Sequence, residues 1–221
     1  MTRQRLSRDQ SREQTRDRLL EAAQTIFTKK GFENASVEDI SAAAGYTRGA
    51  FYSNFGGKTE LFIELLRRSH AGVKLEFDRL FEIAPDVATL EASIIQYYSQ
   101  LYRDDLCGVL WMEAKLLAIR DVKFRNKLNI FLTEKRAEII DFLHRFSART
   151  GEPPLASAEV LAVGLMSLAE GVSFAHRVDP QRVSCKLAEA ALAWFGRCSL
   201  FGPPRESQTE SEPATPAADD L

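Results

Sequence analysis

The sequence predicts an all-helical chain of about nine helices, three short ones at the front and six longer ones behind. Apolar residues recur at helical spacing almost from end to end, no segment alternates with the period of a strand, and Gly and Pro punctuate the periodic runs at a few clear points.

The first helix is expected from Thr15 to Lys30, where Leu19, Ala22, Ala23, Ile26 and Phe27 make one apolar face. Lys29, Lys30 and Gly31 give it a cationic last turn and a stop, and Phe32 can fold back onto that turn. Ser36 with Asp39 three residues on is a variant capping box, so the second helix starts near Val37 and ends at Ala44, before Gly45. Thr47 can cap a third helix from Arg48 to about Phe55, which Gly56 and Gly57 break. Long helices should follow over Lys58–Ile83, Val87–Arg103, Leu106–Arg120, Val122–Arg149, Ala156–Arg177 and Gln181–Phe201. Pro85, the Gly151, Pro153, Pro154 group, Pro180 and the pair Pro203, Pro204 close four of them.

The net charge of −2 hides an uneven distribution. Residues 1–18 hold six arginines (Arg3, Arg5, Arg8, Arg12, Arg16, Arg18) against three acids, whereas from Gly202 on one arginine faces five acids. That second stretch, rich in Pro, Ser, Thr and Ala, cannot bury apolar surface, so residues 203–221 read as a disordered acidic tail. No apolar run is seen to approach the roughly 18 to 20 residues of a membrane span, and the polar start lacks the apolar centre of a signal peptide. The expectation is a cytoplasmic chain without a membrane partner. Cys107, Cys185 and Cys198 lack metal or disulfide spacing and read as small buried apolar residues. His70, His144 and His176 fall in three different helices, and neither a Gly-rich phosphate loop nor a G-x-S-x-G turn occurs. The sequence therefore argues against an enzyme and implies neither cofactor nor metal.

The segment from Ser36 to Lys58, SVEDISAAAGYTRGAFYSNFGGK, has the spacing of a helix-turn-helix. Ser41, Ala42, Ala43 and Ala44 let two helices approach closely, and Val37, Ile40, Phe51 and Phe55 hold their angle. Thr47, Arg48, Gly49, Tyr52, Ser53 and Asn54 remain to face base edges and phosphates. Over residues 15–65 the chain resembles the TetR family of regulators, through GYTRGAFYSNFGGKTELF and the GF-x-x-x-S lead-in to the second helix. The resemblance implies DNA contacts at Ser36, Thr47, Arg48, Gly49, Tyr52, Asn54 and Lys58; Asn54 departs from the His common in the family. Lys58 also stands where a cation is unfavourable, in the first turn of a helix, unless an anion such as a DNA phosphate joins it. The N-terminal arginines can reach the same DNA or form a solvated extension.

By the same resemblance, residues 1–56 form the DNA-binding domain and residues 57–202 a ligand-sensing and dimerisation domain. Tyr98, Trp111, Glu113, Phe131, Glu170 and Phe174 lie in the helices where the family forms its pocket, and Glu113 and Glu170 interrupt apolar stretches that a carboxylate enters only with a partner. The implied partners are double-stranded palindromic operator DNA, a small-molecule effector and a second copy of the chain. The segments 156–175 and 183–200, rich in small and apolar residues, are the expected dimer interface, and a charge at Leu165 or Leu192 should split it. The function expected is a ligand-released repressor; the alternative is a DNA-binding regulator without a small-molecule ligand, controlled by a protein partner or acting constitutively.

Overall fold

The computed structural model describes residues 7–103 and 105–202, with the side chains of residues 105–107 left out. Its helices are α1 (Arg8–Asn34), α2 (Val37–Ala44), α3 (Arg48–Tyr52), α4 (Lys58–Ile83), α5 (Val87–Gln100), α6 (Asp105–Arg120), α7 (Val122–Thr150), α8 (Ala158–Val178) and α9 (Cys185–Phe201). A 3₁₀ turn over Leu101–Arg103 follows α5, and no strand occurs among the described residues. The expected acidic tail and the arginines Arg3 and Arg5 lie outside the described residues.

Both ends of α2 and both ends of α4 fall where the punctuation put them. Elsewhere local capping moves a boundary. The polar turns before Thr15 carry no apolar period, yet α1 begins at Arg8, because Ser7 and Gln10 close a full capping box. Gly31 bends α1 instead of ending it: at φ 75°, ψ 163° it breaks the helical path, and a further turn continues to Asn34. The third helix stops at Tyr52 rather than Phe55, in a turn where the Asn54 N–H donates to the Phe51 carbonyl. Ser157 and Ser184 cap α8 and α9, so both begin later than apolar spacing alone suggested.

Gly31 occupies a conformation that essentially only glycine tolerates, and a Cβ there would stand 3.0 Å from Glu113 Oε1. Gly31→Ala is therefore expected to cost about 1 to 3 kcal/mol. Urea unfolding checks it: the midpoint should fall with the slope unchanged, whereas an unmoved midpoint would show that the kink is not required.

The first core joins Leu19, Ala23, Phe27, Ile40, Phe51, Leu61, Phe62 and Leu66 to Leu110, Ala114, Phe124 and Leu128. The front helices and α4 are thus packed directly on α6 and α7, across the expected boundary at residue 57. A second core gathers Leu80, Leu90, Ile94 and Phe146 between α4, α5 and α7. A third sets Tyr98 and Tyr102 against Ala188 and Leu192. There α5 lies close on α9 because Gly196 leaves room for the Tyr98 ring, which a Cβ would meet at 2.8 Å.

The expectation that no apolar run approaches the length of a membrane span needs correction. Helix α8 is long and apolar enough to cross a membrane by length and composition, with only 17% of its apolar window buried. It is apolar on two sides: Leu161, Ala162 and Leu165 pack inward, while Val160, Val163, Phe174 and Val178 are exposed.

Candidate nucleic-acid interface and ligand cavity

The two short helices α2 and α3 meet through Ile40 and Phe51, both fully buried, with Gly45 in the left-handed conformation at the turn between them. This fixes which face of α3 is left outward. Thr47 caps α3, its hydroxyl accepting from the Ala50 N–H at 3.2 Å. Arg48 follows, ion-paired with Glu38 at 2.8 Å and with its guanidinium 5.4 Å from the Tyr52 ring centre. Tyr52 is 47% exposed and stands edge-on to Phe51. A Cβ on Gly49 would touch nothing closer than Thr47 Oγ1, at 3.7 Å. Thr47, Arg48, Gly49 and Tyr52 therefore form one open, solvent-facing surface.

The other three residues of the expected DNA set are engaged within the protein. The Ser36 hydroxyl donates to Asp39 at 2.8 Å and accepts from the Asp39 N–H at 3.0 Å. Lys30 and Ser36 together hold the Asp39 carboxyl down at about 2, so the capping box stays charged. Asn54 donates its side-chain amide to the Ala50 carbonyl at 2.8 Å, and its backbone carbonyl accepts from Arg16 at 3.0 Å. Arg16 lies over the Phe55 ring and pairs with Glu64 at 3.1 Å.

Lys58 departs furthest from expectation. Its ammonium donates to the carbonyls of Phe32 at 2.5 Å, Glu33 at 3.2 Å and Ala35 at 2.7 Å, and lies 4.4 Å from the Phe32 ring centre. The partner that offsets the unfavourable cation at the start of α4 is the carbonyl end of α1, itself the negative pole of a helix. Desolvation lowers the Lys58 pKa, and Glu33 and Glu113 oppose that shift. All three N–H donors are used, and none is left for a phosphate.

Behind this head, α4 to α8 enclose a cavity of about 720 Å³, within the range of small-molecule sites. Of the expected ligand residues, Tyr98, Trp111 and Glu170 line it. Glu113, Phe131 and Phe174 do not. Glu113 sits on the same helix as Trp111 but points the other way, its carboxylate accepting a short hydrogen bond from the Phe32 N–H just past the kink of α1. Phe131 is buried behind the wall, stacked on Trp111, and Phe174 is 53% exposed on the outer side of α8. Each of the three lies on a helix that lines the cavity but faces away from it, because these helices are apolar on more than one side. Tyr98 donates its hydroxyl to the Leu165 carbonyl at 2.8 Å, and burial pushes its pKa up.

The chamber also holds residues that sequence reasoning passed over. His70, Lys74 and Asp78 come from α4, Lys115 from α6, and Lys135, Phe142 and Arg145 from α7. Stretches such as Thr133–Glu138 are so rich in charge that they read as solvated surface. The cysteines also need correction: Cys185 is exposed and Cys198 partly buried, and the side chain of Cys107 lies outside the described residues.

Helices α8 and α9 present a second open surface. Val160, Val163, Phe174 and Val178 lie exposed on α8, and Leu187, Trp194 and Phe195 on α9. Leu192 is fully buried in the third core and Leu165 lines the cavity, so neither belongs to this outer face.

The family model described as "Bacterial regulatory proteins, tetR family" matches residues 19–65. The HTH-type transcriptional repressor AcnR of Corynebacterium glutamicum is 26% identical over 141 residues, 60% of this chain and 75% of AcnR. The HTH-type transcriptional regulator SrpR of Pseudomonas putida is 37% identical over 65 residues, but these span only 29% of this chain and 30% of SrpR. Among solved structures, the transcriptional regulator FadR from Bacillus subtilis, in complex with stearoyl-CoA, superposes with a TM-score of 0.66 at 15% identity, covering 84% of this chain and 98% of FadR.

Proposed function

Since the chain belongs to the TetR family of bacterial regulators, we propose that it is a sequence-specific DNA-binding repressor, released from a palindromic operator when a small ligand enters the cavity. One observation carries this reading: a single helix both lines the cavity and bonds to the reading head. Helix α6 faces the chamber with Trp111 and Lys115 and, from the residue between them on its other side, sends Glu113 to the kink of α1. A residue first taken for a ligand contact is better read as the strut between the two sites. A second connection runs along α4, whose 26 residues begin at Lys58 and carry Phe77 and Asp78 on the chamber wall.

Ligand entry that shifts α6 or α4 moves the front helices with it, because they share one core with both. Two recognition helices in a dimer must match major grooves about 34 to 36 Å apart, so a modest change in their separation lowers affinity without ligand touching DNA. In this reading residues 1–56 form the reading head and residues 57–202 the sensing and dimerising body of a cytoplasmic protein.

The test begins with selection of an operator from random duplex DNA. Tyr52→Ala and Arg48→Ala should each weaken binding to that operator by about 1 to 3 kcal/mol, with circular dichroism unchanged. Arg48 gives up an exposed pair with Glu38 and an exposed contact with the Tyr52 ring, both at little cost. Full affinity in both variants would remove α3 as the recognition helix.

A further inference from the structure

The charged side chains that line the cavity are paired with one another, with one exception. Asp78 takes Lys74 at 2.5 Å and Arg145 at 2.6 Å, Asp141 also holds Arg145 at 3.3 Å, and Glu138 faces His70 at 2.9 Å. Lys115 takes Glu170 in a short ion pair between α6 and α8. Lys135, on α7, lies beside that pair and has no carboxylate within ion-pair distance among the described residues. Its ammonium rests 4.4 Å from the centre of the Trp111 ring. Three helices thus bring two cations and one anion together at one place in the chamber. An ammonium taken from water without a counter-ion is costly, and a ring face returns only part of that cost. Consistently, burial depresses the Lys135 pKa; Glu170 opposes this and Lys115 adds to it.

Apart from the paired charges of α4 and α7, one wall of the chamber is apolar. Two turns along α7 from Lys135, about 10 Å away, Phe142 packs on Phe77, which in turn meets Tyr97, and Ile94 and Leu165 complete an apolar wall. A cationic ligand would meet Lys135 and Lys115, and a sugar-like ligand would leave its hydroxyls unpaired against the aromatics. We propose that the cavity takes an anionic amphiphile, a carboxylate whose head group sits on Lys135 and whose hydrocarbon chain lies along Phe142, Phe77 and Tyr97. This rests on the reading of the cavity as the effector site.

The experiment is isothermal titration of the full-length protein with decanoate, decanol and decyltrimethylammonium, each kept below its micellar concentration. Decanoate is expected to bind at least tenfold more tightly than decanol, a gap of about 1.4 kcal/mol or more. Lys135→Met keeps the apolar stem and removes the charge, so it should abolish that preference while the affinity for decanol stays the same; Lys135→Arg should restore it. Equal binding of the alcohol or tighter binding of the ammonium compound, a preference that survives in the Met variant, or no decanoate binding would each overturn the proposal. Release of operator DNA by the alcohol or the ammonium compound would keep the cavity as an effector site with another head-group chemistry. Decanoate that binds through Lys135 yet leaves the operator complex intact would count against the effector reading alone.

Discussion

Trp194→Glu should turn the protein into monomers, and its operator affinity should fall by about 4 kcal/mol or more, toward the level of non-specific binding. Trp194 is 54% exposed on α9 and edge-on to the equally open Phe195, so a charge there leaves the fold of one copy undisturbed. Val163, Phe174 and Val178 are exposed on the neighbouring α8, so the two helices offer large apolar side chains to water side by side, as an interaction surface would. Exposed small residues, Gly164, Ser167 and Gly171, lie on the same side of α8 and let a second copy approach closely. Two such helix pairs would complete a four-helix bundle in the proposed dimer. A monomer would hold one recognition helix, which reads too few base pairs for a specific complex. Analytical ultracentrifugation at micromolar concentration decides the matter, and an intact Trp194→Glu dimer would place the interface on another surface. The change must be made here and not at Leu192, where a charge would be buried and would destabilise the single chain, or at Leu165, which lines the cavity and not this outer face.

Lys58→Met should lower stability by about 2 to 3 kcal/mol, the scale of hydrogen bonds to a charged donor. For a chain of this size that corresponds to a fall in melting temperature of about 4 to 12 °C. The three carbonyls of Phe32, Glu33 and Ala35 would lose their common donor, and α4 would lose its tie to the end of α1. A lysine serving a phosphate instead would leave the melting temperature unchanged and, when removed, flatten the salt dependence of DNA binding by about one unit of slope. Differential scanning calorimetry and a salt titration of operator binding separate these outcomes.

Much of the fold was legible because its signals are local. Ser36 with Asp39, Gly45, and the stop before Pro85 each act within a few residues, and the helices they bound lie where the sequence put them. The outward surface of α3 was legible for the same reason, since Phe51 faces inward and leaves Thr47, Arg48 and Tyr52 outside. Contacts across the chain were not. Nothing near Lys58 in sequence announces the carbonyls of residues 32–35, and nothing near Glu113 announces the Phe32 N–H, 81 residues away. The kink at Gly31 was read as a stop because the sequence shows a glycine but not the carboxylate that meets the turn beyond it. In the cavity, periodicity identified helices but not faces, since α6, α7 and α8 are each apolar on the side toward the cavity and again toward a core or a neighbour. Lys135 is hard to single out because a lysine in a charged stretch is ordinary surface until side chains of α6 and α8 close around it.

The coupling of the two sites is tested most directly by calorimetric titration of a cavity ligand into the protein, with and without operator duplex. A thermal-shift screen of metabolites, drugs and acyl thioesters supplies that ligand. Because linkage is reciprocal, a ligand that releases DNA must itself bind more weakly to the DNA complex, typically by about 5 to 150-fold for a coupling of 1 to 3 kcal/mol. Glu113→Gln, which weakens the strut to Phe32 while leaving the chamber wall in place, should shrink that ratio. Equal ligand affinities in the presence and absence of operator would contradict the coupling and leave a DNA-binding regulator that acts without a small-molecule effector.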